Sequence, residues 1–344
     1  MAGKLLETSE VAERLGVSRQ TVARYIRDGH LRAQKTAGGH ARVFESEVDS
    51  WLRRRQATPA CRVLAVANQK GGAAKTTTTV AVAAALVDSG QRVLLIDVDP
   101  QANATDAVGF DRRVPYRSLH DALTTYLDEG EATLPVVSLE AAWDLVPSHL
   151  ALAGMETEIV MRAVNKATIL RALIEPLRDR YDWILIDCAP SLGWLTINAL
   201  TAADQVLIPQ VPDFISAQGL GQLHQTIQWV QKWTREARHG LPLAVAGVVL
   251  TRVRPVDHHQ QMRGQVAAFC DQAGIPFLSA RDDDERRANR ADRVEIPDTI
   301  GAADAAGQAV ALSRYGAGGG ARTGYRKLAA LLVAGRSVED SVHA

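Results

Sequence analysis

The residues with the plainest chemical potential are two lysines and a threonine. Lys70 and Lys75 bracket Gly71, Gly72, Ala73 and Ala74, and Thr76 and Thr77 follow at once. A lysine ammonium on a glycine-bearing loop brings full positive charge to a phosphate chain, and the threonine hydroxyl beside it is a hard oxygen ligand of the kind Mg²⁺ takes. Loop N–H groups and a helix N-terminus add partial positive charge toward the same anion. Further along, Asp97 and Asp99 close one apolar run and Asp187 closes another. Alternation of an extended chain puts Asp97 and Asp99 on the same side. Such acids suit the orientation of a water molecule and the holding of a metal ion. Phosphoryl transfer to water needs that combination of positioning and charge neutralisation, with no covalent intermediate.

The elements that must place these groups are legible around them. Residues 62–67 form a short β-branched apolar run and read as a buried strand. The Ala- and Val-rich residues after the loop read as a helix to about Ser89-Gly90. Strand, glycine-bearing loop, Lys-Thr and helix is the phosphate-cradle arrangement. Ala74 stands where that motif has glycine, and its methyl group is expected to crowd the backbone where phosphate approaches. Residues 91–101 give a second strand, 181–191 a third, and 204–209 and 243–250 two more, with a helix over about 215–233 between the last two. Residues 118–128 and 150–180 read as mainly helical, 280–298 as a charged loop, 316–320 as flexible, and 325–333 as a final helix. The expected fold class is therefore α/β: a P-loop NTPase with a mostly parallel sheet covered by helices on both faces, its acids at the C-terminal edge where ligands bind.

At 344 residues the chain has room for two domains, and its 47% apolar content supports a sizeable core. Zero net charge excludes a wholly basic nucleic-acid binder. Residues 1–60 nevertheless hold eleven Lys/Arg against seven Asp/Glu, so they carry +4 and the rest −4, which points to one nucleic-acid-facing segment. Cys61, Cys188 and Cys270 have neither zinc spacing nor a disulfide pattern, as expected in a reducing cytoplasm. The first residues lack the apolar core of a signal peptide, and no run is long enough to span a bilayer, so the expectation is a soluble cytoplasmic protein with no membrane partner.

That basic segment has its own layout. Residues 7–28 read as two short helices about the turn Gly16-Val17-Ser18, the second with Val22 and Ile26 on one face. Residues 31–44 read as a hairpin about Gly38-Gly39, and Ser46 caps a helix ending near residues 53–55. Helix, turn and capped polar helix is the helix-turn-helix layout, whose second helix enters the major groove. The whole resembles the winged helix-turn-helix of the MerR and excisionase type over about residues 5–55. That resemblance assigns Arg19, Gln20, Thr21 and Arg24 to recognition-helix positions and Lys35, His40 and Arg42 to the wing. The expected division is a winged helix-turn-helix DNA-binding domain over 1–56, a linker over 57–61 containing Pro59, and an ATPase domain over 62–344.

Lys70-Gly71-Gly72-x-x-Lys75-Thr76 resembles the deviant Walker A motif of the ParA/MinD ATPases. The run Asp97-Val98-Asp99-Pro100-Gln101-Ala102-Asn103 is similar to that family's second motif, and residues 181–191, ending Asp187-Cys188-Ala189-Pro190-Ser191, to its Walker B. The resemblance covers nearly all of residues 62–335. It implies ATP and Mg²⁺ as cofactors, ATP contacts from Lys70, Gly71, Gly72, Ala73, Ala74, Lys75, Thr76, Thr77 and Thr251, and metal contacts from Thr76, Asp97 and Asp187. It implies catalytic roles for Lys70, Lys75, Asp97 and Asp99: Lys70 reaches a partner subunit's nucleotide, Asp99 positions water and Asp97 supports the metal and switch region. It implies a homodimer formed on ATP, a ParB-like partner that stimulates slow hydrolysis, and non-specific DNA binding by arginines in the later part of the chain, for which Arg252, Arg254, Arg281, Arg290 and Arg293 are candidates. Residues 145–154 also resemble a ParA segment but carry no independent chemistry. The short final helix, followed by Glu339 and Asp340, argues against a MinD-type basic membrane anchor.

The leading expectation is a nucleoid-associated, DNA-partitioning ATPase with its own site-specific DNA-binding domain, able to repress its operon. The alternatives are a transcription regulator that uses a ParA-like domain as a nucleotide-dependent dimerisation switch, and an ATPase that positions a cargo other than DNA. The dispersed cysteines offer no motif for an iron–sulfur reductase of the same superfamily.

Overall fold

The computed structural model describes residues 4–15, 19, 22, 23, 26, 31–35, 41–49, 61–140, 142–234, 243–279, 294–298 and 319–334. The chain divides into two compact units, Met1–Cys61 with Glu175–Asp182, and Arg62–Ile174 with Trp183–Ala344.

In the first unit, β1 (Leu5–Glu7) leads directly into α1 (Thr8–Leu15). The two strands of the expected hairpin, β2 (Ala33–Lys35) and β3 (Ala41–Phe44), pair antiparallel with Gln34 opposite Arg42. At three residues β1 is too short to show a period in the sequence, and it adds to the other side of β3. Leu6, Val11, Ala12, Val22, Leu31, Val43 and Val48 form the core. Arg14 pairs with Glu45 and Asp49, tying α1 to the helical residues 45–49.

The second unit carries β4 (Arg62–Val66), β5 (Val93–Asp97), β6 (Val137–Glu140), β7 (Trp143–Val146), β8 (Trp183–Asp187), β9 (Gln205–Gln210), β10 (Ala244–Val253) and β11 (Glu295–Pro297). Its helices are α2 (Lys75–Asp88), α3 (Asn103–Ala107), α4 (Leu119–Glu129), α5 (Leu152–Arg162), α6 (Ile169–Ile174), α7 (Trp194–Ala202), α8 (Phe214–Trp233), α9 (Asp257–Ala273) and α10 (Gly319–Ala334). The strands form one eight-stranded sheet in the order β11-β10-β9-β4-β8-β5-β7-β6. Every neighbouring pair is parallel except β6 with β7. Leu64, Val66, Val93, Leu95, Leu185, Leu207 and Val249 pack with residues of α2 and α10 on one face. The residues between them, such as Val63, Ala65, Leu94, Ile96, Ile184 and Ile186, are equally buried and point to the other face. Both faces are thus covered, as a parallel sheet requires. Because β4, β8 and β5 are neighbours and parallel, the loops leaving their C-terminal ends emerge along one sheet edge.

The structure corrects four readings. The helical stretch over 150–180 is broken after α5, where Ala163 turns extended (φ −82°, ψ 131°). The hairpin β6–β7 passed unrecognised: each strand has only four residues, and although Val137-Ser138-Leu139-Glu140 alternates apolar and polar, so short a run at a half-exposed edge is a weak signal. Residues 295–297 are a strand where a loop is expected, three residues that pair with β10. Gly319 and Gly320, read as flexible, begin α10. Small residues serve close packing there, since a Cβ at Gly324 would lie 2.6 Å from the Glu295 carbonyl oxygen.

Candidate active site and nucleic-acid elements

The loop between β4 and α2 is anchored at its base by Asn68. Its buried amide donates to the Pro209 carbonyl at 2.6 Å and to Gln210 Oε1 at 3.1 Å, while its Oδ1 accepts from the Lys70 N–H at 2.9 Å. Gly71 and Gly72 are exposed, with Gly72 at φ 75°, the left-handed region that glycine enters freely. Ala73 is buried, and its carbonyl accepts the Thr251 hydroxyl at 3.3 Å. Thr251 therefore braces the loop from the end of β10. Ala74, the N-cap of α2, also lies in the left-handed region at φ 61° and ψ 28°. The need for glycine at this position is thus one of backbone angle: alanine there bears about 1–2 kcal/mol of strain. Among the described residues two other non-glycine residues also have positive φ, Ala102 (φ 57°) after β5 and Arg252 (φ 54°) beside Thr251 in β10. Backbone strain clusters at functional sites.

Lys75 opens α2, is buried, and donates from Nζ to the Lys70 carbonyl at 3.1 Å. Burial lowers its affinity for a proton, opposed by the nearby Asp187, Cys188 and Asp99. Lys70 points elsewhere: its ammonium is ion-paired with Asp213 at the start of the segment leading to α8. Thr76 Oγ1 donates to Asp187 Oδ2 at 2.7 Å, and Thr79 Oγ1 lies 2.9 Å from Asp187 Oδ1 and from the Lys75 carbonyl. Thr77 is half-buried in the same helical turn.

The acids behave differently from one another. Asp97 faces Asp187 in register across β5 and β8, and both are fully buried. Burial, and then the charge of Asp187, raise the Asp97 pKa against the hydrogen bonds of Thr105 and Asp99. Burial also raises Asp187, opposed by Thr76, Thr79 and Lys75. Asp97 Oδ1 accepts the Asp99 N–H at 3.1 Å, and Oδ2 accepts the Thr105 N–H at 2.8 Å and its hydroxyl at 2.7 Å. These bonds bind Asp97 to the loop that follows it. Asp99 is almost wholly buried and holds the Gln101 N–H at 2.9 Å. Cys188 beside Asp187 is a buried thiol whose pKa burial pushes far up.

Lys75, Thr76, Asp97, Asp99 and Asp187 thus gather on one sheet edge, with Lys70 and Thr251 at the loop. Among the described residues no group of three or more His, Cys, Asp or Glu is set to hold a metal by itself. The pair of a threonine hydroxyl and a carboxylate at a helix start does fit Mg²⁺, which keeps several waters and takes few protein oxygens beside substrate phosphates. The sequence reading overlooked Thr79, Asn68, Thr105 and Asp213. Thr79 was findable, since it sits one helical turn after Thr76 on the same face. Asp213 was not, because it lies 143 residues from Lys70 and carries no local pattern.

The DNA-contact candidates fare unevenly. Arg19 is exposed at a helical position, and Lys35 lies in β2. Arg42 pairs across strands with Glu7 at 2.8 Å. Gln20, Thr21, Arg24, His40, Arg281, Arg290 and Arg293 lie outside the described residues, as do most of the expected linker and the residues after 334. Arg252 and Arg254 both pair with Asp298. No described helix is long and apolar enough to cross a membrane.

A family described as an AAA domain matches residues 61–238, and one described as a helix-turn-helix domain matches residues 5–56. The chain is 40% identical over 190 residues to the sporulation initiation inhibitor protein Soj of Bacillus subtilis (strain 168), which covers 55% of this chain and 72% of Soj. It is 39% identical over 211 residues to the chromosome partitioning protein ParA of Caulobacter vibrioides (strain NA1000 / CB15N), covering 60% and 74%. Among solved structures it resembles the cobyrinic acid a,c-diamide synthase of Mycobacterium smegmatis with bound ATP analogue and magnesium, at TM-score 0.63 and 32% identity, over 79% of this chain and 94% of that one. The loop with two lysines, the acids after β5 and β8, and these matches make the chain a member of the ParA/MinD-type AAA-domain family that carries an N-terminal helix-turn-helix domain.

Proposed function

We propose that the chain is an ATP-hydrolysing DNA-partition protein. It binds Mg–ATP at the loop after β4, dimerises around the nucleotide, and binds DNA non-specifically as the dimer. A ParB-like partner releases it by stimulating a slow hydrolysis. The observation that carries this reading is the meeting of Thr76 and Asp187 at the start of α2, beside the buried Lys75. Lys75 and the first N–H groups of α2 bind the β- and γ-phosphates. Thr76 and Asp187 hold the metal side, and Asp97 keeps the neighbouring loop in place. Bound magnesium supplies charge neutralisation and orientation of the phosphates. Asp99 orients the attacking water, and Lys70 leaves Asp213 to neutralise charge on the partner subunit's nucleotide. Thr251 keeps the loop in position through the Ala73 carbonyl and contacts the nucleotide. Arg19, Gln20, Thr21 and Arg24, with Lys35, His40 and Arg42 in the wing, read a specific site, which gives the protein a route to repressing its own operon. Arg281 and Arg290 are proposed for the non-specific contact. The protein is then cytoplasmic and associated with the nucleoid.

The N-terminal helix-turn-helix match supports a second reading, a transcription regulator whose ATPase part is a nucleotide-dependent dimerisation switch with little turnover. Turnover of the wild-type chain and of Lys75→Ala, measured with DNA and with a ParB-like partner, separates the two. Stimulated hydrolysis lost in Lys75→Ala supports partition. ATP-dependent dimers without stimulated hydrolysis support the regulator, and no nucleotide binding contradicts both.

A further inference from the structure

Residues 148–156 supply no acid or base to the proposed reaction, yet they touch both loops that bear its carboxylates. At one end, the buried Ser148 donates from Oγ to the Asp99 carbonyl at 2.6 Å. Its N–H donates to Thr105 Oγ1 at 3.0 Å, and that hydroxyl donates in turn to Asp97. At the other end, the Glu156 carboxylate in α5 accepts the N–H groups of Trp194 at 2.9 Å and Leu195 at 3.4 Å. These are the first residues of α7, the helix at the end of the loop that leaves Asp187. The N-cap of α7 is Gly193, which has no side chain to satisfy those donors. A Cβ at Gly193 would fall 2.1 Å from a Glu156 carboxylate oxygen, so the glycine makes room for the acid. Glu156 thus does from α5 what serine or aspartate does at an ordinary N-cap, and its negative charge suits a helix N-terminus. An ordinary cap would tie α7 only to its own loop. Glu156 ties it to α5, which is anchored in the core by Leu152, Met155 and Ile159. The short run back to Ser148 then reaches the Asp99 backbone.

We propose that Ser148 and Glu156 are positioning residues, which hold the Asp99 loop and the Asp187 loop in one fixed relation so that phosphate and metal at Asp187 set the position of Asp99. The proposal rests on the reading of Asp99 and Asp187 given above. Neither residue touches the reacting atoms.

The test uses the full chain as wild type, Glu156→Ala, Glu156→Gln, Ser148→Ala and the Ser148→Ala/Glu156→Ala double variant. In the nucleotide-free proteins, hydrogen exchange at the Trp194 and Leu195 amides should quicken about fivefold or more in Glu156→Ala, the effect of losing a cap. Glu156→Gln, which keeps an acceptor oxygen, should lie between. With Mg–ATP, binding should stay within about threefold of wild type while turnover falls about 10–100-fold, the scale of a small misplacement of a reacting group. A slowly hydrolysed ATP analogue should protect residues 147–153 and 188–195 together in the wild type, and only 188–195 in Glu156→Ala. The double variant should be no slower than the worse single one. Unchanged exchange at 194 and 195, unchanged turnover, or binding and turnover lost in proportion to a lowered melting temperature would overturn the proposal. Failure of the wild-type chain to bind Mg–ATP would instead overturn the function it rests on.

Discussion

Replacing Ala74 by glycine should stabilise the protein, although it removes a methyl group from the N-cap of a buried helix. Ala74 sits at φ 61° and ψ 28°, in the left-handed region. An L-residue with a Cβ is strained there by about 1–2 kcal/mol because the Cβ crowds the following carbonyl oxygen. Glycine escapes that strain but gains freedom in the unfolded chain, which offsets about 0.4–1 kcal/mol. At the middle of both ranges the difference leaves a net gain of about 0.8 kcal/mol, which moves the melting temperature of a unit of this size upward by about 2–3 °C. Differential scanning calorimetry of the nucleotide-free full chain reads the shift directly. Ala102, at φ 57°, should respond in the same direction. Ala330→Gly is the control of opposite sign: it is exposed within α10, where glycine costs about 1 kcal/mol relative to alanine. A melting temperature that falls or stays fixed in Ala74→Gly, while Ala330→Gly behaves as expected, would refute the argument that backbone angle sets the demand for glycine at this position.

Four further outcomes follow from the geometry. The folded-state pKa values of Asp97 and Asp187 are raised by burial, so their contribution to stability is complete below the unfolded carboxylate pKa of about 3.9 and is lost as pH rises through the folded values. Denaturant midpoints of the nucleotide-free chain should therefore fall from mildly acid to mildly alkaline pH, by at most about 1.4 kcal/mol per unit for each proton, with a shallower fall in Asp97→Asn. Asp213→Asn releases Lys70 from its intramolecular ion pair and should favour nucleotide-dependent association in light scattering; no change there would mean the pair does not restrain Lys70. Gly324→Ala drives a Cβ to 2.6 Å from the Glu295 carbonyl oxygen and should lower stability by about 1–3 kcal/mol in denaturant titration. The Cys188 thiol is buried with a strongly raised pKa, so it should resist a thiol-labelling reagent until the protein unfolds.

The sequence revealed most where a residue's chemistry and its local pattern coincide. Lys75, Thr76, Asp97, Asp99 and Asp187 each end or begin a strongly apolar run, and the parallel sheet brings those run ends to one edge. The five-residue strands β4, β5 and β8, buried throughout apart from the half-buried Arg62, were legible for the same reason. Short strands were legible only with a turn to mark them: β2 and β3 flank Gly38-Gly39, whereas β1, β6, β7 and β11 have no such marker and depend on pairing with a neighbour already in place. Partners distant in sequence were hidden too. Asp213 meets Lys70, Thr251 meets Ala73, and Glu156 meets Trp194 only because the fold closes on itself. Ala74 shows a subtler limit. Its departure from glycine was visible, but the left-handed backbone angle that strains it was not.

The central claim is that one nucleotide is gripped from two chains, by Lys75 of its own and by Lys70 of the other. Sedimentation velocity of the full-length protein with a slowly hydrolysed ATP analogue and Mg²⁺, run beside Lys70→Ala and Lys75→Ala, addresses it directly. The account predicts a nucleotide-dependent dimer for the wild type and monomers for both variants, with Lys70→Ala still binding nucleotide. A wild-type protein that remains monomeric at saturating analogue, or a Lys70→Ala protein that dimerises as the wild type does, would contradict it.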